Sequence, residues 1–238
     1  MTANIARQRR VWGRRAAAWD HHASNNPGLV KVVERVIEQA APEPSMRVVD
    51  LGCGSGQLDL RLAPKVSSIL AVDVSTEMIE LLLDNASAAG VHNIEGRATP
   101  IERLHLDVES VDLVVSNYAL HHLRDSDKSR TVREAASWLR PGGRLVVGDM
   151  MFGRGADAAD REIIASKFRS LAKMGPGGWW RIVKNSTRYL VRVQERPVSM
   201  QRWMAMFQAA GLEDVVGSRV VNEAAVVVGI KPIRSRLG

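Results

Sequence analysis

The sequence predicts an α/β fold, in which a parallel sheet carries helices on both faces. From residue 46 onward, short apolar runs alternate with amphipathic stretches, which is the pattern of repeated strand–helix units. One apolar run, 48–51, leads directly into a glycine-rich turn at 52–56. The next apolar run ends in an acid, Asp73. These three observations together are typical of a nucleotide-binding sheet.

The elements follow from periodicity and from helix start and stop signals. Residues 1–40 form an N-terminal helical segment, with a break near 25–28 where the chain reads Asn-Asn-Pro-Gly. Strands are expected near 47–51, 69–73, 93–96, 111–116 and 144–149, and helices near 57–63, 76–89 and 128–139. Ser75 is the expected N-cap of the second of these helices. The Pro-Gly-Gly at 141–143 is expected to end the last of them and turn into the next strand.

The rest of the chain contains a long connection and a hairpin. Residues 213–231 are rich in valine with a break at 222–223, which predicts an antiparallel hairpin at the sheet edge. Residues 150–210 are too many for a plain connection. We interpret them as a helical cap over the substrate, with helices at 157–173 and 199–210. Residues 1–238 are thus expected to form a single domain.

The glycine turn lets the backbone approach a ligand, and the helix behind it points free N–H groups at the same place. An acid at the next strand end can accept hydrogen bonds from ribose hydroxyls. A dinucleotide and an aminoacyl nucleoside both meet these requirements. The Gly-x-Gly-x-Gly spacing differs from that of dinucleotide sites. Asp50, just before the turn, would repel a pyrophosphate and attract an ammonium, which favours S-adenosylmethionine.

Four motifs then give a specific resemblance. VVDLGCGSG at 48–56 resembles the first motif of class I S-adenosylmethionine-dependent methyltransferases, and AVDVS at 71–75 with Met78 resembles the second. VVSNYALHHL at 114–123 is similar to the fourth, and LRPGGRL at 139–145 to the turn into the fifth strand. The resemblance implies a Rossmann-like class I methyltransferase fold, with a seven-stranded, mostly parallel sheet and one antiparallel strand. NYALHHL at 117–123 points to the quinone-biosynthesis-like group of small-molecule enzymes.

The resemblance also implies roles for individual residues. In such enzymes an N-terminal helix lies over the cofactor, so Trp12 and Trp19, which are seven residues apart, are candidates to cover it. Arg97 stands where relatives have an acid that bonds the adenine, and a guanidinium cannot accept that bond. Adenine recognition is therefore expected near the Ala98 backbone. The full set of expected cofactor contacts is Asp50, Gly52, Gly54 and Asn117 for the methionine part, Asp73 for the ribose, Met78 and the Ala98 backbone for the adenine, and Val74.

The candidate general bases are His121 and His122, because an imidazole titrates near neutral pH. Both follow the fourth predicted strand on the substrate side, and the sequence does not distinguish them. Tyr118 and Asp149 lie at strand ends, where they could position a substrate. Methyl transfer needs alignment rather than a protein nucleophile. No metal site is predicted, since adjacent histidines point apart and no third ligand is near.

Charge and composition limit the classes of partner that the protein is expected to bind. Residues 1–35 hold seven Lys and Arg against two acids, and residues 154–202 hold eleven against four. Basic segments beside an acidic core favour an anionic partner. The leading hypothesis is methyl transfer to O, N or C of a small anionic or lipophilic metabolite. An RNA methyltransferase using the basic, Trp-rich stretch 167–202 is second, and a non-enzymatic cofactor-binding protein is third.

The expected location is the cytoplasm. No apolar run approaches the length of a membrane span, and no signal peptide is recognised. Cys53 is the only cysteine, so an internal disulfide is excluded. Inside the glycine turn it is expected to be a small residue that fits. The oligomeric state is not predicted.

Overall fold

A computed structural model describes residues 3–14, 20–21, 25–152, 161, 165 and 196–233 of the chain. Its strands are β1 (Arg47–Leu51), β2 (Ser68–Asp73), β3 (Ile94–Ala98), β4 (Val111–Asn117), β5 (Leu139–Met150), β6 (Glu213–Val221) and β7 (Ala224–Ile230). Its helices are α1 (Ala3–Gly13), α2 (Pro27–Ala40), α3 (Asp59–Leu62), α4 (Thr76–Ala88), α5 (Asp125–Trp138) and α6 (Met200–Ala209). Short 3₁₀ turns lie at Ala63–Lys65, Ile101–Arg103 and Leu120–His122.

The described strands form one seven-stranded sheet in the order β3-β2-β1-β4-β5-β7-β6. The first five strands are parallel to their neighbours; Val49, for example, pairs with Leu70 on β2 and with Val114 on β4. β7 runs antiparallel to both β5 and β6. The predicted Rossmann-like α/β fold with one antiparallel strand is therefore confirmed. β1 lies between β2 and β4, where the strand order reverses, and the carboxyl ends of the strands leave a crevice there.

Two apolar layers cover the faces of the sheet. Side chains alternate between faces along a strand, so Val49 and Leu51 of β1 join one buried cluster and Val48 joins the other. The first cluster packs on α5 and α6 through residues such as Trp203, which is fully buried. The second includes the apolar stripe of α2. Burial on both faces holds the strand ends, and with them the site, at fixed positions.

The N-terminal region contains the predicted break. α1 ends at Gly13, and α2 begins at Pro27. The Asn26 side chain accepts hydrogen bonds from the backbone N–H groups of Gly28 and Leu29, at 2.9 and 3.3 Å. Asn at the N-cap followed by Pro at the first helical position is a favourable helix start. Trp19 lies outside the described residues.

One predicted boundary is wrong. We expected Pro141-Gly142-Gly143 to separate a helix from a strand beginning at 144, but α5 ends at Trp138 and β5 begins at Leu139. Val111 pairs with Leu139 and Leu113 with Arg144, so the Pro-Gly-Gly forms an irregularity inside the strand. It is held there because the N–H of Gly142, at φ +83°, donates to the carbonyl of Lys231 at 2.8 Å.

The connection before the hairpin is described only at its ends. The predicted helix at 199–210 is present as α6, and the Ser199 hydroxyl caps it by accepting from the N–H of Arg202. The hairpin of β6 and β7 also follows the prediction, with its break at 222–223. The predicted helix at 157–173 and most of the basic, Trp-rich stretch lie outside the described residues. None of the described helices is long and apolar enough to cross a membrane.

Candidate active site

A cleft opens at the carboxyl ends of β1, β2 and β4. Most of the residues predicted to hold a cofactor line it, together with one of the two candidate bases. These are Asp50, Gly52, Gly54, Asp73, Val74, Met78, Asn117 and His122. Two predicted residues are not among its lining: Ala98, which is exposed, and His121, which lies in a neighbouring pocket.

The glycine turn forms the floor of the cleft. Gly52, Gly54 and Gly56 have φ values of +86°, +55° and +89°, a region that favours glycine. A Cβ atom at Gly52 would lie 2.2 Å from the Cβ of Ala119, which follows β4. The N–H groups of Gly52 and Cys53 both donate to the carbonyl of Val72, at 2.7 and 3.0 Å. The turn is therefore fastened to β2 on one side and packed against the β4 loop on the other.

Asp73, at the end of β2, accepts hydrogen bonds from the glycine turn and from the loop that follows β2. One carboxylate oxygen accepts from the N–H of Gly54 at 3.2 Å, and the other accepts from the N–H of Ser75 at 2.8 Å. Burial raises the pKa of Asp73 to about 6, although these hydrogen bonds lower it. Each carboxylate oxygen has a second lone pair, so Asp73 can also accept hydrogen bonds from a ribose. The position therefore fits the role predicted for it.

Asp50 lies beneath the turn with an unsatisfied oxygen. Its side chain is buried, and within the described residues Oδ1 has no hydrogen-bond partner. Burial raises the pKa of Asp50 well above its usual value, and the carboxylates of Asp59 and Asp73 raise it further. A bound cation would stabilise the charged form, so the environment fits the α-ammonium of S-adenosylmethionine. The pKa of Cys53 is raised mainly by burial, so its thiol stays protonated and unreactive.

The adenine side of the cleft differs from the prediction. Arg97 points to an exposed ion pair, with its guanidinium 2.7 Å from the carboxylate of Glu95. Instead, the 3₁₀ turn after β3 brings Ile101 and Glu102 into the lining. Sequence reasoning missed both, because the segment between the third and fourth predicted strands was left unassigned. Within the described cleft lining, the acid nearest in sequence to position 97 is thus Glu102, five residues later.

A second pocket adjoins the cleft. Its lining includes His121, Met150 and Glu223. Trp12, Leu29, Tyr118 and His122 line both spaces and so form the wall between them. The rings of Trp12 and His122 pack with centroids 5.2 Å apart. α1 therefore carries one of the two predicted tryptophans into the site, as expected.

His121 is held by an acid that lies on β5. Its Nδ1 is 2.5 Å from Oδ1 of Asp149, and its backbone N–H donates to Oδ2 of the same residue at 2.9 Å. Asp149 is fully buried. We assign the ring hydrogen to Nδ1 from this hydrogen bond, which leaves Nε2 as the basic nitrogen. Such an arrangement is suited to accepting a proton. The ring of His122 lies beside it, with centroids 4.0 Å apart.

Tyr118 is strained at the junction of the two pockets. It has φ +52°, which is uncommon for a residue with a side chain, and its N–H donates to the carbonyl of Gly148 at 2.8 Å. Its pKa is raised by burial first, and then by the negative charges of Glu223 and Asp149. The phenol therefore remains a neutral donor at physiological pH. Its ring meets that of His121 edge-on, at 6.5 Å.

Comparison with known proteins agrees with this geometry. Residues 48–143 match the family described as a methyltransferase domain. An uncharacterised methyltransferase of Bacillus subtilis, YcgJ, is 33% identical over 114 residues, which are 48% of this chain and 44% of that protein. A ubiquinone biosynthesis O-methyltransferase of Sinorhizobium fredii is 31% identical over 133 residues, 53% of this chain and 52% of that protein. The chain thus spans about half the length of these curated relatives.

Solved structures show the same fold. The crystal structure of YcgJ superposes with a TM-score of 0.63 at 21% identity, covering 84% of this chain and 98% of that one. A Haloferax volcanii protein solved in complex with a methyltransferase activator has a TM-score of 0.71 at 18% identity, covering 93% and 97% of the two chains. Both likenesses extend well beyond the segment that the family model matches.

Proposed function

Because this chain belongs to the class I S-adenosylmethionine-dependent methyltransferases, we propose that it methylates a small molecule held in the second pocket. Its methyl donor is S-adenosylmethionine, which supplies an activated methyl group when bound. Asp50, Asp73 and the glycine turn would hold the donor, because Asp50 suits its ammonium and Asp73 suits its ribose. The acceptor would lie across the wall formed by Trp12, Tyr118 and His122.

The acceptor atom that the pocket suits best is a hydroxyl oxygen. A hydroxyl must lose its proton as the new bond to carbon forms, whereas a thioether or a neutral amine can react first. His121 supplies a base for that proton at Nε2, and Asp149 stabilises the resulting imidazolium through Nδ1. The His121–Asp149 pair beside the shared wall is the observation that carries this proposal.

The described part of the pocket favours a lipophilic acceptor over an anionic one. Trp12, Tyr118, Met150 and Val221 offer apolar and aromatic surface. The one carboxylate that lines the pocket beside them, Glu223, would repel an anion placed against it. Of the two basic segments that suggested an anionic acceptor, most of 154–202 lies outside the described part of the chain.

Turnover of a panel of phenols, alcohols and amines, measured as S-adenosylhomocysteine formation, tests the proposal. His121→Gln and Asp149→Asn are expected to lower kcat by about 10²-fold or more, because a positioned base contributes about that much. Both should leave the affinity for S-adenosylhomocysteine within about two-fold, since His121 does not line the cofactor cleft. His122→Gln is the matched comparison, and it should raise KM more than it lowers kcat. Full kcat in His121→Gln would refute the role of His121.

A further inference from the structure

Asp59 is a buried acid with no assigned role. It lies in the first turn of α3, just behind the glycine turn, and is fully buried. Within the described residues, no donor reaches either of its carboxylate oxygens or Oδ1 of Asp50. The pKa of Asp50 is raised first by burial, and then by the charge of Asp59 and by a hydrogen bond with its side chain, so the two buried carboxyl groups are neighbours. A hydrogen bond between two carboxyl groups requires that one of them carry a proton.

We propose that Asp50 and Asp59 share one proton in the free protein, and that this proton is released when the cofactor's ammonium binds at Asp50. Asp59 is then a positioning residue, which acts on the cofactor only through Asp50. The inference rests on the cofactor assignment alone and does not depend on the acceptor.

The surroundings of the pair favour the shared proton. Burial disfavours two adjacent negative charges, and two carboxylates in one site cannot both ionise readily. Asp73 adds a third acid, and its charge raises the pKa of both Asp50 and the Cys53 thiol. Arg61 and Glu102 also line the cleft. Arg61 lies 3.8 Å from Glu34 across a partly exposed ion pair. Within the described residues, no cation reaches the unsatisfied oxygens of the pair.

Binding of the ammonium supplies the cation that the pair lacks. The positive charge stabilises ionised Asp50, so the proton leaves as the ligand enters. Because a ligand that displaces one proton gains up to ten-fold in affinity per pH unit, cofactor affinity should rise from pH 6 to pH 7. A ligand that contains the nucleoside without the amino acid should not displace this proton.

Calorimetry in two buffers of different ionisation enthalpy measures the released protons. For the wild type at pH 7, S-adenosylhomocysteine should release close to one proton per site, and 5′-methylthioadenosine, which has no ammonium, fewer than half as many. Asp59→Asn should release less than half a proton and bind S-adenosylhomocysteine several-fold more tightly than the wild type at pH 6. Asp127→Asn is the matched control, because Asp127 on α5 is a buried acid already paired with Arg124, the residue before that helix. It should release as many protons as the wild type.

Equal proton release by the two ligands would overturn the proposal without any variant. Unchanged release in a folded Asp59→Asn protein would do the same. Failure to bind S-adenosylhomocysteine at any pH would instead remove the cofactor assignment, so the two failures are distinguishable.

Discussion

The backbone N–H of Arg196 donates a 2.7 Å hydrogen bond to the carbonyl oxygen of His121. The carbonyl oxygen of Arg196 accepts a 2.7 Å hydrogen bond from the ammonium of Lys128. Lys128 is fully buried on α5, and its ammonium also donates to the carbonyl of Leu123. Arg196, at the end of the long connection, is therefore hydrogen-bonded to the turn that carries the candidate base His121.

Replacing Lys128 by Met should loosen this junction. The buried carbonyl of Leu123 and the partly buried carbonyl of Arg196 would lose their donor, and a buried group left unsatisfied costs about 1–3 kcal/mol. We expect the free energy of unfolding in urea to fall by about 2 kcal/mol or more, and the Arg196 amide to exchange faster. The kcat should fall while cofactor affinity is kept. Lys31→Met, on the exposed side of α2, is the control and should change neither. Unchanged exchange at Arg196 would contradict the junction.

Gly52→Ala should abolish cofactor binding. The substitution forces an alanine into φ +86° and places its Cβ 2.2 Å from that of Ala119, so the turn must move. Gly90 is a matched control, because it has φ +68° and nothing lies within 4 Å of its Cβ position. Gly90→Ala should lose about 1 kcal/mol of stability and keep its affinity for S-adenosylhomocysteine. Equal affinity in the two variants would show that the turn tolerates displacement.

Asp59→Asn should stabilise the free protein, and increasingly so at higher pH. Burial raises the pKa of Asp59 from 3.8 to about 7, so between about pH 4 and pH 7 the folded state binds more protons than the unfolded state. This acid's contribution to stability is present below pH 4 and is lost as pH rises through 7. Since one pKa unit corresponds to about 1.4 kcal/mol, the variant should gain roughly 1–4 kcal/mol at pH 7.5 relative to pH 4. Denaturant unfolding of both proteins across this range measures the difference, and a difference that shrinks with pH would contradict the raised pKa.

Glu223→Gln should change the preference among acceptors. Glu223 lines the second pocket beside Tyr118 and His121. Removing the charge should lower KM for a carboxylate-bearing acceptor about three- to ten-fold relative to the same acceptor without that group. Affinity for S-adenosylhomocysteine should not change. Glu213→Gln, exposed at the start of β6, is the control. An equal effect on both acceptors would mean that Glu223 does not face the substrate.

The RNA alternative remains a prediction from the sequence. The basic, Trp-rich stretch that prompted it lies mostly outside the described residues. Phosphate contacts weaken steeply with salt, so a gel shift with a single-stranded RNA at low and at moderate salt tests it. The small-molecule function expects no retained RNA at either concentration, whereas salt-sensitive retention would favour the alternative.

The cofactor half of the site was predictable because its requirements are local. Glycines at fixed spacing, Asp50 before them and Asp73 at the next strand end all belong to two neighbouring strand–turn units, and the structure brings them into one cleft. The exposed Ala98 departs from that pattern, because residues of the following 3₁₀ turn line the cleft instead.

The acceptor half depends on contacts between distant segments, which one sequence does not show. His121 and His122 are equivalent by spacing, and they are distinguished only by Asp149, which arrives from β5. Asp59 had no predicted role, because nothing in the sequence relates an acid in the first turn of α3 to Asp50 on β1. Trp12 was proposed from its position alone, and the contact with His122 fixes its place.

The close approach of Gly52 and Ala119 has a consequence for substrate choice. Gly52 belongs to the glycine turn, and Ala119 belongs to the loop after β4 that also carries Tyr118 and His122 of the wall between the two pockets. The methyl group of Ala119 separates the two backbones. A methyl group has no alternative rotamers, so it acts as a spacer of constant thickness. In the proposed function, the offset between donor and acceptor would then be a fixed length of the scaffold. Any acceptor that reacts must bring its nucleophilic atom to that length, whatever the shape of the rest of the molecule.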